Sequence, residues 1–178
     1  GSFVPAHPIT GKELAGVEHA DADLYKGKQL ILTPMERTLT VQLRKAQEVW
    51  AALGCRVVQM SPESHDAALA AVSHLPHLLA FALMNGIADQ ASAKELLSLA
   101  GPGFRDFTRI AASDPKVWRD ILLANKTELL AQSRLFQQAL QDFEQLITDG
   151  NTAALEQAIA RASQTRSAWH MTTHKPTH

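Results

Sequence analysis

The stretch KQLILTPMERTLTVQLRKAQEVWAALGCRVVQM, residues 28–60, determines the fold class of this chain. Its two ends, KQLILTP and CRVVQM, are short and rich in Leu, Ile and Val, as buried strands require. Between them apolar residues recur at helical spacing, with Thr38 or Thr40 able to cap the helix and Gly54 able to end it. Strand, helix and strand of these lengths predict a βαβ unit with parallel strands.

On the N-terminal side of this unit, FVPA at 3–6 predicts one further short strand. Two or three strands do not make a self-sufficient doubly wound sheet, so we expect the front of an α/β domain to lie upstream of this chain. No strand signal follows Met60. The sequence therefore predicts a mainly α fold: residues 1–60 are the C-terminal remnant of a Rossmann-like α/β domain, and residues 61–178 form an all-helical domain.

The helical part begins at Ser61, which can cap a helix that has Pro62 in its first turn. Pro76 removes a backbone donor inside this helix and should interrupt it near Ser73. Apolar periodicity predicts further helices at 92–100, 104–112, 115–148 and 152–169. The longest of these has more apolar surface than a small bundle can cover, which predicts a homodimer formed through the helices.

The composition excludes several classes of partner. Lys+Arg 17 against Asp+Glu 18 gives a net charge of -1, so no global field would recruit nucleic acid or an anionic membrane. No basic segment precedes an apolar one, and no uninterrupted apolar stretch reaches about 18 residues. The single cysteine, Cys55, cannot form an internal disulfide, and its apolar neighbours predict a buried structural thiol. We therefore expect a cytoplasmic protein that binds neither nucleic acid nor membrane.

Three histidines are candidates for chemistry. His7 follows the predicted first strand and precedes a proline, a place where a residue faces the ligand crevice of an open α/β sheet. It suits a general acid or base, or else it is a loop histidine that caps a strand. His74 and His77, in SHLPH, lie three residues apart on one helix face. They contact a ligand, or they are core histidines bonded to backbone carbonyls; a metal site is a weak alternative because no third ligand is suitably spaced.

The segment GPGFRDFTRIAASDPKVWRD, residues 101–120, places Arg109 one helical turn after Asp106 and Arg105, among aromatic residues. A partly desolvated arginine there would bind a carboxylate in a bidentate way. The alternative is an Arg–Asp pair that braces two helices, and Asp106 would also serve as the counter-ion of the arginine. The neighbouring His65-Asp66 pair has a simpler interpretation, since Asp66 suits the positive end of a helix dipole.

Four motifs, HPITGKELAGVE, ILTP, SHLPH and GFRDFTRIAASDPKVWRDI, occur here in an order and spacing that resembles the prephenate dehydrogenase family of tyrosine biosynthesis. The resemblance covers about residues 3–148. It implies a nucleotide-binding α/β domain followed by a helical domain that forms the dimer. It also implies oxidative decarboxylation of prephenate, or its relative arogenate, with NAD+ or NADP+. The family's Gly-rich fingerprint is expected before Phe3, because no G-x-G-x-x-G occurs in these 178 residues.

By this resemblance, His7 matches the family's catalytic histidine, which accepts the proton of the ring hydroxyl as hydride leaves. Arg109 matches the arginine that binds a substrate carboxylate. The other substrate-binding positions implied by the resemblance are Glu13, His74, His77, Asp106 and Trp118. No residue of this chain is implied for the cofactor or for a metal ion. A non-catalytic helical dimerisation or aromatic-carboxylate-sensing module is the alternative function, and a metal-binding helical protein is a third.

Overall fold

The computed structural model describes residues 3–11 and 16–170. By its internal contacts the chain divides into two compact units. The first consists of Gly1–His65 and Phe136–His178, and the second of Asp66–Leu135.

A three-stranded sheet in the first unit consists of β1 (Ala6–Pro8), β2 (Gln29–Leu32) and β3 (Arg56–Gln59), in that order. β2 and β3 are parallel, which confirms the predicted βαβ unit. β1 is antiparallel to β2. The predicted first strand at 3–6 was therefore placed too early. Proline has no N–H to donate to a ladder, so regular pairing begins only after Pro5, although its carbonyl still accepts from Thr33.

Helix α1 (Thr40–Ala52) connects the two parallel strands, as predicted. Its N-cap is Leu39, with no side-chain hydrogen bond, so the predicted threonine cap is wrong. The Thr38 hydroxyl instead accepts from the backbone N–H of Met35 at 3.0 Å, within the turn before the helix. Gly54 follows the helix with a φ of 84°, a left-handed conformation that glycine adopts at little cost.

The core of the first unit lies between β2, β3 and α1. Leu30 and Leu32 are fully buried, with Cys55 beside them. Tyr25 and Trp50 meet edge to face against this cluster, with ring centroids 5.3 Å apart. The Cys55 thiol lies 3.6 Å from the Tyr25 carbonyl, and burial raises its pKa. The prediction of a buried structural thiol is confirmed.

Helix α2 (Pro62–Leu69) starts as predicted, because the Ser61 hydroxyl accepts from the backbone N–H of Ser64 at 3.1 Å. A π-helical segment, Ala70–His74, follows it and leads into α3 (Leu75–Ala88). The interruption predicted from Pro76 thus takes the form of a wider helical turn immediately before the proline. Such turns occur often at functional sites.

The helical run Pro62–Ala88 is long and apolar enough, by length and composition, to cross a membrane. Its most apolar 18-residue window has a mean hydropathy of 1.7, and 17% of that window is buried. The core helix of a soluble protein meets the same criteria. The expectation that the protein does not bind membranes stays a prediction.

Five further helices follow within the described part of the chain, up to residue 170. The predicted helix at 115–148 is in fact two helices, because Asn125 leaves helical geometry with φ -107° and ψ 31°. Asp114 caps the first of them by accepting from the N–H groups of Lys116 and Val117, both at 2.9 Å. A 3-10 turn, Arg109–Ala112, precedes this cap. The helices are α4 (Ala93–Ser98), α5 (Pro102–Thr108), α6 (Pro115–Ala124), α7 (Lys126–Thr148) and α8 (Thr152–Ala168).

Candidate functional site

The sequence predicted that His7, the candidate base, follows the first strand. In the structure it lies within β1. Its Cα is paired with Ile31 of β2, one residue before the carboxyl end of that strand. Since β3 runs parallel to β2 and also ends there, the segment that leaves β3 starts on the same side of the sheet. His7 is therefore at the strand edge where open α/β sheets bind ligands.

His65 is the partner of His7, and we call these two residues the histidine pair. His7 Nδ1 and His65 Nε2 are 2.8 Å apart, and the ring centroids are 5.1 Å apart at an interplanar angle of 63°. His65 lies in the first turn of α2, where its N–H donates to the Ser61 carbonyl at 3.0 Å. Desolvation, and then the adjacent His65, lower the pKa of His7.

The second unit contains a cluster of His74, His77 and Trp118, which we call the histidine–tryptophan cluster. His77 stacks on Trp118, with ring centroids 3.5 Å apart at an interplanar angle of 17°. His74 meets the same indole edge to face at 6.3 Å. Phe81 closes the group, 6.2 Å from the indole. The SHLPH motif and Trp118, which are far apart in the sequence, are thus in contact in the structure.

Hydrogen bonds fix both imidazoles of the histidine–tryptophan cluster. His77 Nδ1 is 2.9 Å from the carbonyl oxygen of Ser73, in the π-helical segment. His74 Nδ1 is 3.2 Å from the Asn125 side-chain nitrogen, which also donates to the Asp66 carbonyl at 2.8 Å. The sequence left open that both histidines bond to backbone carbonyls. In the structure His77 makes such a bond through Nδ1, whereas His74 Nδ1 contacts a side-chain amide. The Nδ1 bond leaves the Nε2 atom of His77 available for another role.

The charged residues of this unit lie on its surface. The sequence predicted a partly desolvated Arg109. In the structure Arg109 is exposed, at the start of the 3-10 turn. The pKa of His77 is lowered mainly by desolvation, whereas its hydrogen bond to Ser73 raises it. The positive charge of Arg109 lowers the pKa of His77 further. Asp106 accepts from the Nε of its neighbour Arg105 at 3.1 Å, and both side chains are largely exposed.

Two family models match the chain, one after the other. Residues 1–59 match the prephenate dehydrogenase nucleotide-binding domain, and residues 61–161 match the prephenate dehydrogenase dimerization domain. The chain belongs to the prephenate dehydrogenase family.

Similar proteins agree with this membership. The cyclohexadienyl dehydrogenase of Zymomonas mobilis is 37% identical over 130 residues, which are 72% of this chain and 44% of that protein. The prephenate dehydrogenase of Bacillus subtilis is 37% identical over 129 residues, 72% of this chain and 35% of that protein. The chain thus spans less than half the length of these curated relatives.

Solved structures of the family share the fold. The prephenate dehydrogenase from Aquifex aeolicus has a TM-score of 0.89 and 38% identity, over 94% of this chain and 59% of that one. A structure of that enzyme in complex with hydroxyphenyl propionate and NAD+ has a TM-score of 0.88 and 40% identity, over 93% and 58% of the two chains. The predicted fold class, a small remnant sheet followed by a helical dimerisation domain, is confirmed.

Of the predicted substrate-binding residues, Glu13 lies outside the described residues. The turn between β2 and α1, residues 33–39, contains no glycine, so it does not supply the phosphate-binding loop that a dinucleotide requires. Within residues 3–11 and 16–170, no three His, Cys, Asp or Glu side chains are grouped closely enough to hold a metal ion.

A cavity of about 430 Å³ opens beside the histidine–tryptophan cluster, on the side of Phe81. Its lining combines apolar side chains with the Asn85 amide and the Thr108 hydroxyl. The residues that line it are Phe81, Met84, Asn85, Thr108, Ala111 and Ala112.

Sequence reasoning missed His65, Ser73 and Asn125 as neighbours of the candidate residues. His65 was interpreted only through the adjacent Asp66, because 58 residues separate it from His7. A better signal existed: in the sequence, each histidine comes within a few residues after a predicted strand, 3–6 for His7 and 55–60 for His65. Asn125 also gave a signal, since asparagine is unfavourable inside a helix and favours the ends of helices.

Proposed function

We propose that this chain is the substrate-binding and dimerisation part of a dehydrogenase that oxidatively decarboxylates prephenate or arogenate with NAD+ or NADP+. Membership of the family supports the reaction class, and relatives are named for both prephenate and cyclohexadienyl substrates. The observation that carries the proposal is the position of His7, at the ligand-binding edge of the sheet with its Nδ1 held by His65.

His7 is the catalytic residue in this proposal. With Nδ1 engaged, its Nε2 accepts the proton of the substrate's ring hydroxyl, and the electron pair of that O–H bond becomes available to form the carbonyl. The lowered pKa of His7 keeps the imidazole neutral, and therefore able to accept a proton, at physiological pH.

Several further residues are proposed to bind the substrate. The exposed Arg109 guanidinium has the planar fork that pairs with a carboxylate. Trp118 offers an aromatic wall, and the stacked His77 offers Nε2 as a hydrogen-bonding atom. His74, Asp106 and Glu13 are further proposed substrate contacts, as the family resemblance implies.

The nicotinamide cofactor supplies the hydride acceptor in this reaction. None of the described residues is assigned to it, because the turn at 33–39 lacks the glycines that let a backbone approach a pyrophosphate. A solved relative is described in complex with NAD+, which supports a nicotinamide cofactor for the family.

We also propose that the protein is a cytoplasmic homodimer, with the boundary between its α/β and helical parts at about Ser61. Helix α7 leaves Leu130, Leu135 and Leu140 exposed, and the apolar run Pro62–Ala88 is little buried within one chain. A second copy that covers these surfaces would remove apolar area from water. The name of the matching family domain, a dimerization domain, supports this arrangement.

The decisive experiment is the His7→Asn variant, made in a protein that joins this chain to the Gly-rich nucleotide-binding segment of the family. We expect prephenate-dependent reduction of NAD+ or NADP+ to fall by about 100- to 10,000-fold, the usual contribution of a general base. His19→Asn is the matched control, since His19 pairs with the adjacent Glu18 in the same unit. Unchanged turnover in His7→Asn would contradict the catalytic assignment.

A second experiment tests the carboxylate contact. Titration calorimetry with 4-hydroxyphenylpyruvate should show an affinity about 10- to 100-fold weaker for Arg109→Ala, because a charge-assisted hydrogen bond contributes about 1.5–3 kcal/mol. Arg119→Ala, which removes an exposed arginine paired with Asp120, should bind as the unaltered protein does. Equal affinity in the two variants would contradict the role of Arg109. Tight binding without turnover would instead favour a sensing module.

A further inference from the structure

In the neutral histidine pair, the proton of the hydrogen bond between the rings is carried either by His7 Nδ1 or by His65 Nε2. A neutral imidazole carries a single N–H, and His7 Nδ1 and His65 Nε2 are 2.8 Å apart, so one nitrogen donates and the other accepts. If His7 Nδ1 carries the proton, His7 Nε2 has a free lone pair. If His65 Nε2 carries it, neutral His7 is protonated on its own Nε2 and is not able to act as a base from that atom.

We propose that His65 is a positioning residue that holds His7 in the Nδ1–H tautomer, by accepting the His7 Nδ1–H at its Nε2. The link with catalysis rests on the proposed function, in which His7 Nε2 accepts the proton of the substrate hydroxyl. His65 touches no reacting atom in this scheme. It sets which nitrogen of His7 is open.

The location of His65 keeps its ring within hydrogen-bond distance of His7. β3 ends at Gln59, and α2 begins two residues after Met60, so His65 is held in the first helical turn. Its own N–H donates to the Ser61 carbonyl at 3.0 Å, and the Ser61 hydroxyl caps Ser64 at 3.1 Å. The backbone that carries His65 is therefore fixed by a capped helix end, while His7 is fixed by the sheet. Two regular elements thus determine the separation of the imidazoles.

Proton transfer to the pair is balanced without a further group. The substrate O–H bond breaks, its electron pair stays on the oxygen, and the proton forms a new N–H bond at His7 Nε2. The resulting imidazolium keeps its Nδ1–H, which still donates to the Nε2 lone pair of His65. The hydrogen bond then has a charged donor, and such bonds are stronger than neutral ones. A neutral His65 therefore keeps its hydrogen bond to His7 after the proton has been transferred.

The test reads the tautomer directly and needs no turnover. Histidine side chains are isotope-labelled in the 178-residue chain, and long-range proton–nitrogen NMR correlations report which ring nitrogen carries the proton. At a pH above the ordinary imidazole pKa, we expect His7 to show an Nδ1–H and an unprotonated Nε2. In His65→Ala the Nε2–H form, which free imidazole side chains favour in water, should become the major one.

His65→Gln provides the conservative rescue, because its amide oxygen accepts a hydrogen bond as the imidazole Nε2 does. This variant should restore the Nδ1–H form of His7, and His19→Gln should leave it unchanged. The proposal is overturned if His7 is an Nε2–H tautomer in the unaltered chain, or if His65→Ala does not change the tautomer. Loss of turnover in His7→Asn is measured separately, so failure of the proposed function and failure of the His65 role are distinguishable.

Discussion

The histidine pair and the histidine–tryptophan cluster hold their imidazoles by different kinds of partner. His7 is bonded through Nδ1 to another titratable group, His65. His77 is bonded through Nδ1 to a backbone carbonyl, that of Ser73, and stacks on an indole. A carbonyl only accepts, so His77 must carry its proton on Nδ1. The tautomer of His77 is thus fixed by the backbone, whereas that of His7 depends on the state of a side chain.

This difference determines how each region responds to acid. His77 can gain a proton on Nε2 and keep its Nδ1–H bond to Ser73. The pair tolerates one added proton, but with both imidazoles charged two N–H groups would face each other at 2.8 Å. Acid should therefore break the histidine pair and leave the hydrogen bond of His77 intact.

The largest effect on stability is expected from Trp118→Ala, which removes the central ring of the histidine–tryptophan cluster. The indole contacts three rings, those of His74, His77 and Phe81. Loss of this half-buried indole, and of its stacking on His77, should lower the free energy of unfolding by about 2 kcal/mol. Urea unfolding followed by far-ultraviolet circular dichroism measures the change.

Trp118→Phe is the control for this prediction, because a smaller aromatic ring retains part of the stacking on His77. Its loss of stability should be less than half that of the alanine variant. Equal losses in the two variants would show that the aromatic contacts of Trp118 do not stabilise this region.

A smaller effect is expected from Asn125→Ala, which removes the side chain that joins His74 to the start of α2's second turn. Asn125 donates to the Asp66 carbonyl at 2.8 Å and contacts His74 Nδ1 at 3.2 Å. We expect a loss of about 1 kcal/mol in the free energy of unfolding, the usual contribution of a hydrogen bond. Gln138→Ala, which breaks an exposed bond to Asp142, is the control and should change stability by less than about 0.5 kcal/mol. An equal effect of both variants would contradict the role of Asn125.

Local patterns predicted the sheet and its crossover well. The apolar run that includes Leu30 and Leu32 is buried as expected, and Gly54 ends the intervening helix. The errors occurred where a single residue overrides a pattern. Pro5 delays the first strand, since it cannot donate to the ladder, and Asn125 breaks a helix whose apolar periodicity continues on both sides of it.

The candidate residues were predicted from motifs, but their partners were not. SHLPH and Trp118 are 41 or more residues apart, and their contact depends on packing that no local pattern encodes. His65 is a still clearer case, because its partner His7 lies 58 residues away and on another element. The sequence indicated which side chains carry the chemistry. The tautomers depend on contacts that only the folded chain supplies.

Arg109→Ala tests the electrostatic part of the comparison. The Arg109 charge lowers the pKa of His77, although desolvation is the larger cause. Removing the guanidinium should therefore raise the pKa of His77 and leave the pKa of His7 unchanged. An NMR titration of the histidine ring protons measures both. A shift in His7 without one in His77 would contradict this assignment.

The smallest effect is expected in the dependence of stability on pH. His7 and His77 both have pKa values lowered from the ordinary 6.5, so around and below that pH the unfolded chain binds more protons than the folded one. Their contribution to stability is complete above 6.5 and is lost as the pH falls towards the folded-state pKa values. His65→Gln removes the neighbouring charge that helps lower the pKa of His7, so its stability should fall less steeply over this range. Asn125→Ala leaves the histidine pair intact and should keep the slope of the unaltered chain. Denaturant unfolding at several pH values on both sides of 6.5 compares the slopes, and a steeper slope for His65→Gln would contradict the role given to the pair.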